Sequence, residues 1–324
     1  MSSARMSRRA LSTSAATLVT GALLLTGCGG DGDSGTAGQE AQTRRITDAT
    51  GRAVEVPASP RKVVTLSEPT LDAALALGVE PVGATAGRGQ SGVSSYLADK
   101  ASKAQVVATV AEADMEKLAV LQPDLILLDE TTAVKGEVDK LQAIAPTVVT
   151  AKLNADWKKA FTATADALNK KAEATRWLDG FASDATAAKK KLGANAGAEV
   201  SVVRWQNGAP SVVGRGVGHV GSTLTGLGLQ RPKDQTGTGT GHSEPVSLEK
   251  LSTIDADWLF FGVLGDTAAG EKAYAEARQV PNFGRLSAER DGHVVVVDGS
   301  AWNSAGGPLA ARIVLADVTK ALAS

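Results

Sequence analysis

From residue 45 to residue 151, short apolar runs recur between stretches whose apolar residues are spaced by threes and fours. KVVTL (62–66), PVGAT (81–85), QVVATV (105–110), LILLD (125–129) and TVVTA (147–151) read as strands. PTLDAALALG (69–78), opened by Pro69 and closed by Gly78, reads as a short helix, and another is expected near 134–143. The pattern then changes. From Asn154 to Leu192 apolar residues from Trp157 through Phe161, Leu168, Leu178 and Phe181 keep a helical period, with Lys, Glu and Asp between them and no Pro. One long amphipathic helix is expected, spanning about 55–60 Å at 1.5 Å per residue. After Gly193 the alternation resumes with VSVVRW (200–205), PSVVG (210–214), WLFFGV (258–263) and HVVVVD (293–298), and a closing helix starts near Gly307. Strands alternating with helices predict an α/β fold. Two α/β lobes with central sheets, 45–152 and 194–324, are expected on either side of one long rigid helix, 153–193.

One segment occurs twice. Met115–Leu128 reads MEKLAVLQPDLILL, and Leu248–Phe261 reads LEKLSTIDADWLFF. In each copy a Glu (Glu116, Glu249) is followed eight residues later by Asp (Asp124, Asp257) and then by an apolar run. Asp114 and Ser247 stand where helix N-caps are expected, so each Glu falls in a first helical turn. A single such Glu needs no more explanation than the helix dipole, worth ~0.3–1 kcal/mol. Two at one register suggest one exposed carboxylate on corresponding corners of two related lobes, readable by a two-part partner with matching basic sites.

Composition narrows the function classes. The 324 residues carry a formal net charge of −1. The first 27 hold Arg5, Arg8 and Arg9 and no acid, leaving 31 basic against 35 acidic residues beyond them. That balance argues against a nucleic-acid partner. The apolar run LVTGALLLTGC is short for a membrane span and reads as a signal peptide over 1–27. Its LTGC resembles a bacterial lipobox, making Cys28 the expected lipidation site. Residues 28–44 then form a flexible Gly-, Ser- and acid-rich leash. Such an anchor holds a protein at the extracytoplasmic face of the cell membrane.

The order of PRKVVTLS, LDAALALGVEPVGAT, MEKLAVLQPDLILL, GSTLTGLGLQRP and VSLEKLSTIDADWLFF, with the lipobox and the long helix, resembles periplasmic-binding-protein-like substrate-binding lipoproteins of iron–siderophore ABC importers. The resemblance implies a helical-backbone metal/siderophore receptor fold with no catalytic activity. It also implies a ferric siderophore as ligand and a permease dimer with its ATPase subunits as partner. Docking residues of the family carry over by register to Glu116 and Glu249, with Glu244 a nearby competitor and Glu68 another acid near the cleft. A cobalamin or haem receptor of the same fold, or an α/β lipoprotein enzyme, are the alternatives.

Ligands of α/β sheets bind beyond the carboxyl ends of strands. Arg88 (GATAGRGQSG), Arg204 and Trp205 (VSVVRW), Arg215 (VVGRGVGHVG) and Trp302 (DGSAWNSAGG) stand at such ends and are the candidate ligand-binding residues. Arginine offers a fork of donors to oxygen-rich anions, and tryptophan offers a flat wall to a bulky chelate. His219, His242 and His293 lack metal-ligand spacing and read as loop or surface histidines. TGTGTGH (236–242) lacks the lysine of a phosphate loop. No cofactor is expected apart from iron arriving inside its chelator. Few arginines and an aromatic wall favour hydroxamate or mixed-ligand chelates over strongly anionic catecholates. Arg231, beside Pro232, is expected to be solvated.

Overall fold

The computed structural model describes residues 42–237 and 241–323. Cys28, the signal peptide and most of the leash lie outside the described residues.

Strands β1 (Thr43–Thr47) and β2 (Ala53–Pro57) form an antiparallel hairpin that the sequence reading missed. Its turn is held by the Asp48 carboxylate, which accepts from the Thr50 and Arg52 amides, and by Gly51 at φ +90°. Ile46, Val54 and Val56 are buried on one face, which Arg44 shares, a one-faced alternation. Thr43 and Arg44, assigned to the leash, belong to β1. The Arg44 guanidinium is bound to the Asp166 side chain at 3.1 Å and to the Asp166 and Ala167 carbonyls.

The first sheet contains β3 (Val63–Thr65), β4 (Gly83–Thr85), β5 (Gln105–Ala108), β6 (Leu125–Leu128) and β7 (Thr147–Val149). All pair in parallel, in the order β5-β4-β3-β6-β7. β3, β6 and β7 are buried along their whole length, as continuous apolar runs require when both faces are covered. Helix α1 (Glu68–Ala76) packs on one face, and α2 (Met115–Leu121) and α3 (Val138–Gln142) pack on the other. The helix expected near 134–143 is a 3₁₀ turn, Ala133–Glu137, followed by α3.

The single helix expected over 153–193 is two: α4 (Trp157–Ala167) and α5 (Lys171–Lys191). The helical period continues across the joint, but the backbone does not. Asn169 is left-handed, at φ +58°. Its amide reaches the Asp166 carbonyl at 3.0 Å, and the Lys170 amide reaches Ala165 at 2.7 Å. Those two bonds make a Schellman stop, for which asparagine serves in place of glycine. The Asn169 side chain donates to the Ala58 carbonyl, fixing the corner against the first lobe. Trp157 and Phe161 of α4 meet Trp177 and Phe181 of α5, with centroids 5.4–6.2 Å apart. Trp177 and Leu178 touch the cores beneath both sheets.

The second sheet has β8 (Val200–Gln206), β9 (Ala209–Val212), β10 (Trp258–Gly262) and β11 (Val294–Val296), in the order β11-β10-β8-β9. β9 is antiparallel to β8 across Asn207-Gly208, both at positive φ, the turn whose twist suits a two-residue hairpin. Helices α6 (His219–Gly226), α9 (Gly299–Trp302) and α10 (Pro308–Leu322) lie towards α5, and α7 (Thr267–Ala277) and α8 (Ser287–Arg290) cover the other face.

The repeat has one local plan in two backbones. Glu116 and Glu249 are exposed, while Leu118 and Leu251, two residues on, are buried. Asp124 accepts from the Arg61 and Lys62 amides just before β3, and Asp257 accepts from the Glu199 amide just before β8. The Asp therefore ties the strand it opens to the central strand of its sheet. The first copy is an α-helix capped by Asp114. The second, expected to match it, is a 3₁₀ segment, Leu248–Ile254, kinked at Lys250. Ser252, Thr253 and Ile254 replace Ala119, Val120 and Leu121, and the run of weaker helix formers leaves the tighter-wound 3₁₀ geometry.

Candidate ligand cleft

The first sheet reverses its strand order between β3 and β6, the switch point at which a crevice opens beyond the strand ends. A cleft of about 550 Å³ lies there, between the two sheets. From the first lobe come Pro69 and Ala73 after β3, Arg88 after β4, and Asp129 and Thr131 after β6. From the second come Arg204 near the end of β8, the Val213–Arg215 stretch after β9, Leu264 after β10, and Trp302–Pro308 after β11. Trp157 and Phe161 of α4 line the wall between them.

Arg204 is buried, at 9% exposure, yet poorly bonded. Among the described residues its guanidinium makes one hydrogen bond, a long one of 3.4 Å from Nη1 to the Asn303 carbonyl, and its buried Nε has no partner. Burial, and then the positive charge of Arg88 across the cleft, hold its pKa below the usual arginine value. Two guanidiniums from two lobes thus face one space, and the deeper one keeps most of its five donors unused. Arg88 is half-buried and spends one nitrogen on the Thr131 carbonyl, at 2.9 Å. Arg215 lies at the rim, with Nε and Nη2 both on the Asp234 carbonyl.

Trp205 is not in the cleft. β8 continues through Gln206, so Arg204 and Trp205 point to opposite faces of the sheet. Trp205 is packed against Phe261 and Phe283 in the core beneath α7 and α8. Trp302 does line the cleft floor, but only 1% of it is exposed. Its ring is stacked on Phe260 at 4.6 Å, and its Nε1 donates to Asp317. It supports the cleft from beneath instead of presenting a broad face. Arg231 is not solvated either. Its guanidinium binds the Val213 and Gly214 carbonyls and Gln235, and burial pulls its pKa down to about 10. It therefore shapes the wall that carries Arg215.

Sequence reasoning missed several polar cleft groups. Asp129 is buried, accepts from the Thr131 amide and hydroxyl, and has its pKa raised by that burial. His219, expected at the surface, is buried at the start of α6. Its Nε2 lies 2.7 Å from the Ala301 carbonyl, and burial lowers its pKa to about 4. His242 stands exposed on the rim, and His293 stacks on Trp258 at 4.1 Å outside the cleft. The switch-point rule applied to β3 and β6 would have pointed to Pro69 and Asp129. Nothing in the sequence marks His219.

The family model described as "Periplasmic binding protein" matches residues 63–301. The chain is 31% identical over 284 residues to YfiY of Bacillus subtilis (strain 168), named a probable siderophore-binding lipoprotein, covering 86% of this chain and 87% of YfiY. It is 27% identical over 285 residues to FhuD of the same organism, an iron(3+)-hydroxamate-binding protein, covering 85% and 86%. Among solved structures, Staphylococcus aureus SirA complexed with staphyloferrin B superposes with a TM-score of 0.72 at 27% identity, covering 86% of this chain and 98% of SirA.

Proposed function

The chain belongs to the periplasmic binding protein family, whose members here are substrate-binding proteins and not enzymes, and from that premise we propose that it captures a ferric siderophore for an ABC importer. The observation that carries the reading is the underbonded, buried Arg204 facing Arg88 across an otherwise largely apolar cleft. A buried cation with free donors is costly unless an oxygen-rich ligand completes it. The apolar walls, Pro69, Ala73, Phe161, Leu264 and Pro308 among them, suit the organic body of a chelate. Iron is cargo here, carried in by its chelator.

The chelator we propose is of hydroxamate or mixed-ligand type. Arg88 is half-buried and already bonded to the Thr131 carbonyl, which leaves Arg204 as the main unspent cation, so a complex of high negative charge is poorly matched. Lipidation at Cys28 tethers the protein to the extracytoplasmic face of the membrane, and Glu116 and Glu249 dock the two lobes on the permease dimer. Both carboxylates are exposed, and each has an exposed apolar neighbour: Val120, 82% exposed, one turn after Glu116, and Leu248 directly before Glu249.

Fluorescence titration tests the ligand class, since Trp157 and Trp302 line the cleft and report a ferric complex by quenching. Ferric hydroxamates and mixed-ligand chelates are expected to quench at low concentration. Quenching by ferric catecholates alone would overturn the chelator assignment. No quenching by any ferric siderophore would overturn the function.

A further inference from the structure

Two seams join the lobes, and they differ in kind. One is mainly apolar: the rings of Trp157, Phe161, Trp177 and Phe181, where α4 meets α5, with a single hydrogen bond from Trp157 Nε1 to Ser222 at 2.8 Å among the described residues. The other is polar and centres on Asp72. Glu68 and Asp72 lie one turn apart on α1, beside the Pro69 and Ala73 positions that line the cleft. Opposite them runs Asp298–Ala310 of the second lobe, whose Trp302–Pro308 portion is cleft wall.

Asp72 is fully buried and accepts four hydrogen bonds. Three come from the second lobe: the Leu309 amide at 2.7 Å, Ala310 at 2.9 Å and Gly307 at 3.1 Å. The fourth is from the Tyr96 hydroxyl, at 2.8 Å. The first-turn amides of α10 have no side-chain cap of their own, because Gly307 occupies the cap position and Pro308 follows it. A carboxylate of the other lobe does the capping instead. Around it, Ser304 donates to Glu68 at 2.8 Å, Ser95 meets Ser300 at 2.8 Å, and the Tyr96 amide donates to Ser300 at 3.3 Å.

We propose that Asp72 is a positioning residue for the ligand cleft: it acts as a catch that fixes the lobe-to-lobe aperture by capping α10 across the seam, while the aromatic joint of α4 and α5 serves as the pivot. Physics separates the two roles. Hydrogen bonds weaken steeply once distance and angle leave a narrow range, so a polar catch holds one separation or lets go. Ring contacts are broad and nondirectional by comparison and survive small rotations. Because Gly307 and Pro308 bound both the catch and the cleft, a change at Asp72 moves the wall opposite Arg88. The apolar seam meets the cleft through Trp157 and Phe161, between the two walls instead of on one of them.

The proposal concerns the unliganded protein and its test needs no siderophore, so it stands or falls apart from the ligand assignment. Cys28 is the only cysteine. In the full chain carrying Cys28→Ser, spin labels are placed at Val120→Cys on the first lobe and Leu248→Cys on the second, both exposed. The interlobe distance distribution is read by pulsed electron paramagnetic resonance. Asp72→Ala is expected to broaden the distribution and lengthen its mean. Tyr96→Phe broadens it less, having lost one donor of four. Asp72→Asn falls nearer to wild type than Asp72→Ala, because its carbonyl still accepts from α10. Asp257→Ala, which removes a strand tie at the end of β10 away from the seam, controls for loss of stability and leaves the distribution unchanged. If Asp72→Ala does not fold, Tyr96→Phe and Asp72→Asn decide. A wild-type distribution in every folded Asp72 and Tyr96 variant would overturn the proposal, as would equal broadening by Asp257→Ala.

Discussion

The two lobes answer to one sequence register and differ in almost everything around it. The first sheet is five parallel strands, whereas the second is four with an antiparallel edge. The first copy of the repeat is an α-helix and the second a kinked 3₁₀ segment. An exposed Glu, a buried Leu and an Asp tied to the central strand are the same in both. What the repeat encodes is therefore a corner, meaning how one strand is fastened to its neighbour and what stands outside it, and not a particular helix. The lobes also divide their buried ionisable groups. Among the described residues the first contributes acids, Asp48, Glu68, Asp72 and Asp129, and the second contributes Arg204 and His219.

That division has its largest expected consequence in pH dependence. Burial raises Asp72 to about 6, against its hydrogen bonds from Leu309, Ala310, Tyr96 and Gly307. The folded state then holds this proton more tightly than the unfolded state, so its contribution to stability falls as pH rises from about 4 to 6. His219, lowered to about 4, does the reverse: the unfolded chain takes the proton first, and stability falls as pH drops from about 6.5 to 4. Each contribution amounts to about 3 kcal/mol, and in wild type they oppose one another across nearly one window. Urea midpoints between pH 4 and 7 are expected to separate them. Relative to wild type, His219→Gln gains stability as pH falls and Asp72→Asn loses it. Parallel curves for the two variants would show that the lobes do not offset each other.

A second comparison sets the two cleft arginines against each other. Arg204→Ala is expected to weaken binding of a quenching ferric siderophore by ~1.5–3 kcal/mol, on the order of 10- to 100-fold. Arg88→Ala weakens it less, since half-buried Arg88 is the more hydrated of the two. Arg231→Ala lowers the urea midpoint as well as affinity, because the Val213 and Gly214 carbonyls lose their partner. Titration beside denaturation distinguishes the three, and an Arg88→Ala loss larger than that of Arg204→Ala would reverse the assignment of the principal contact.

Smaller again are the strand ties. Asp124→Ala forfeits two amide bonds and Asp257→Ala one, so losses of ~1–2 and ~0.5–1.5 kcal/mol are expected in urea unfolding. Equal losses would mean that the second lobe leans on its single tie as heavily as the first does on two. Smallest for the fold are Glu116→Ala and Glu249→Ala, each within ~0.3–1 kcal/mol, with ligand affinity unchanged. Uptake in cells is where they are expected to show, the double variant being worse than either single. Wild-type uptake by the double variant would leave both as helix-start residues.

Much of this architecture was legible because burial writes itself into sequence. Val63–Thr65 and Leu125–Leu128 are strands covered on both faces, and continuous apolar runs announce that. The hairpin at Thr43–Pro57 was hidden because Arg45 and Glu55 face outward and a third charge, Arg44, takes an inward position, breaking up a weak alternation. The stop at Asn169 was hidden because the helical period runs on undisturbed while one residue turns left-handed. Cleft residues were found where strand ends carried an arginine. Trp205 was misplaced because its strand runs one residue further than expected. Asp72 left a sign that went unread: a lone acid inside LDAALALG, an otherwise apolar helix, has to be buried with a partner.

The stop at Asn169 also decides what sort of mechanical part the connecting segment is. A single helix across that span would be a beam, stiff along its length and free to twist about it. Broken at Asn169 and folded back through Trp157, Phe161, Trp177 and Phe181, it becomes a bracket, with one arm on each lobe's core. A bracket carries torque. The corner is a pivot in one plane only: the arms open about the ring stack, while a twist imposed on one lobe reaches the other.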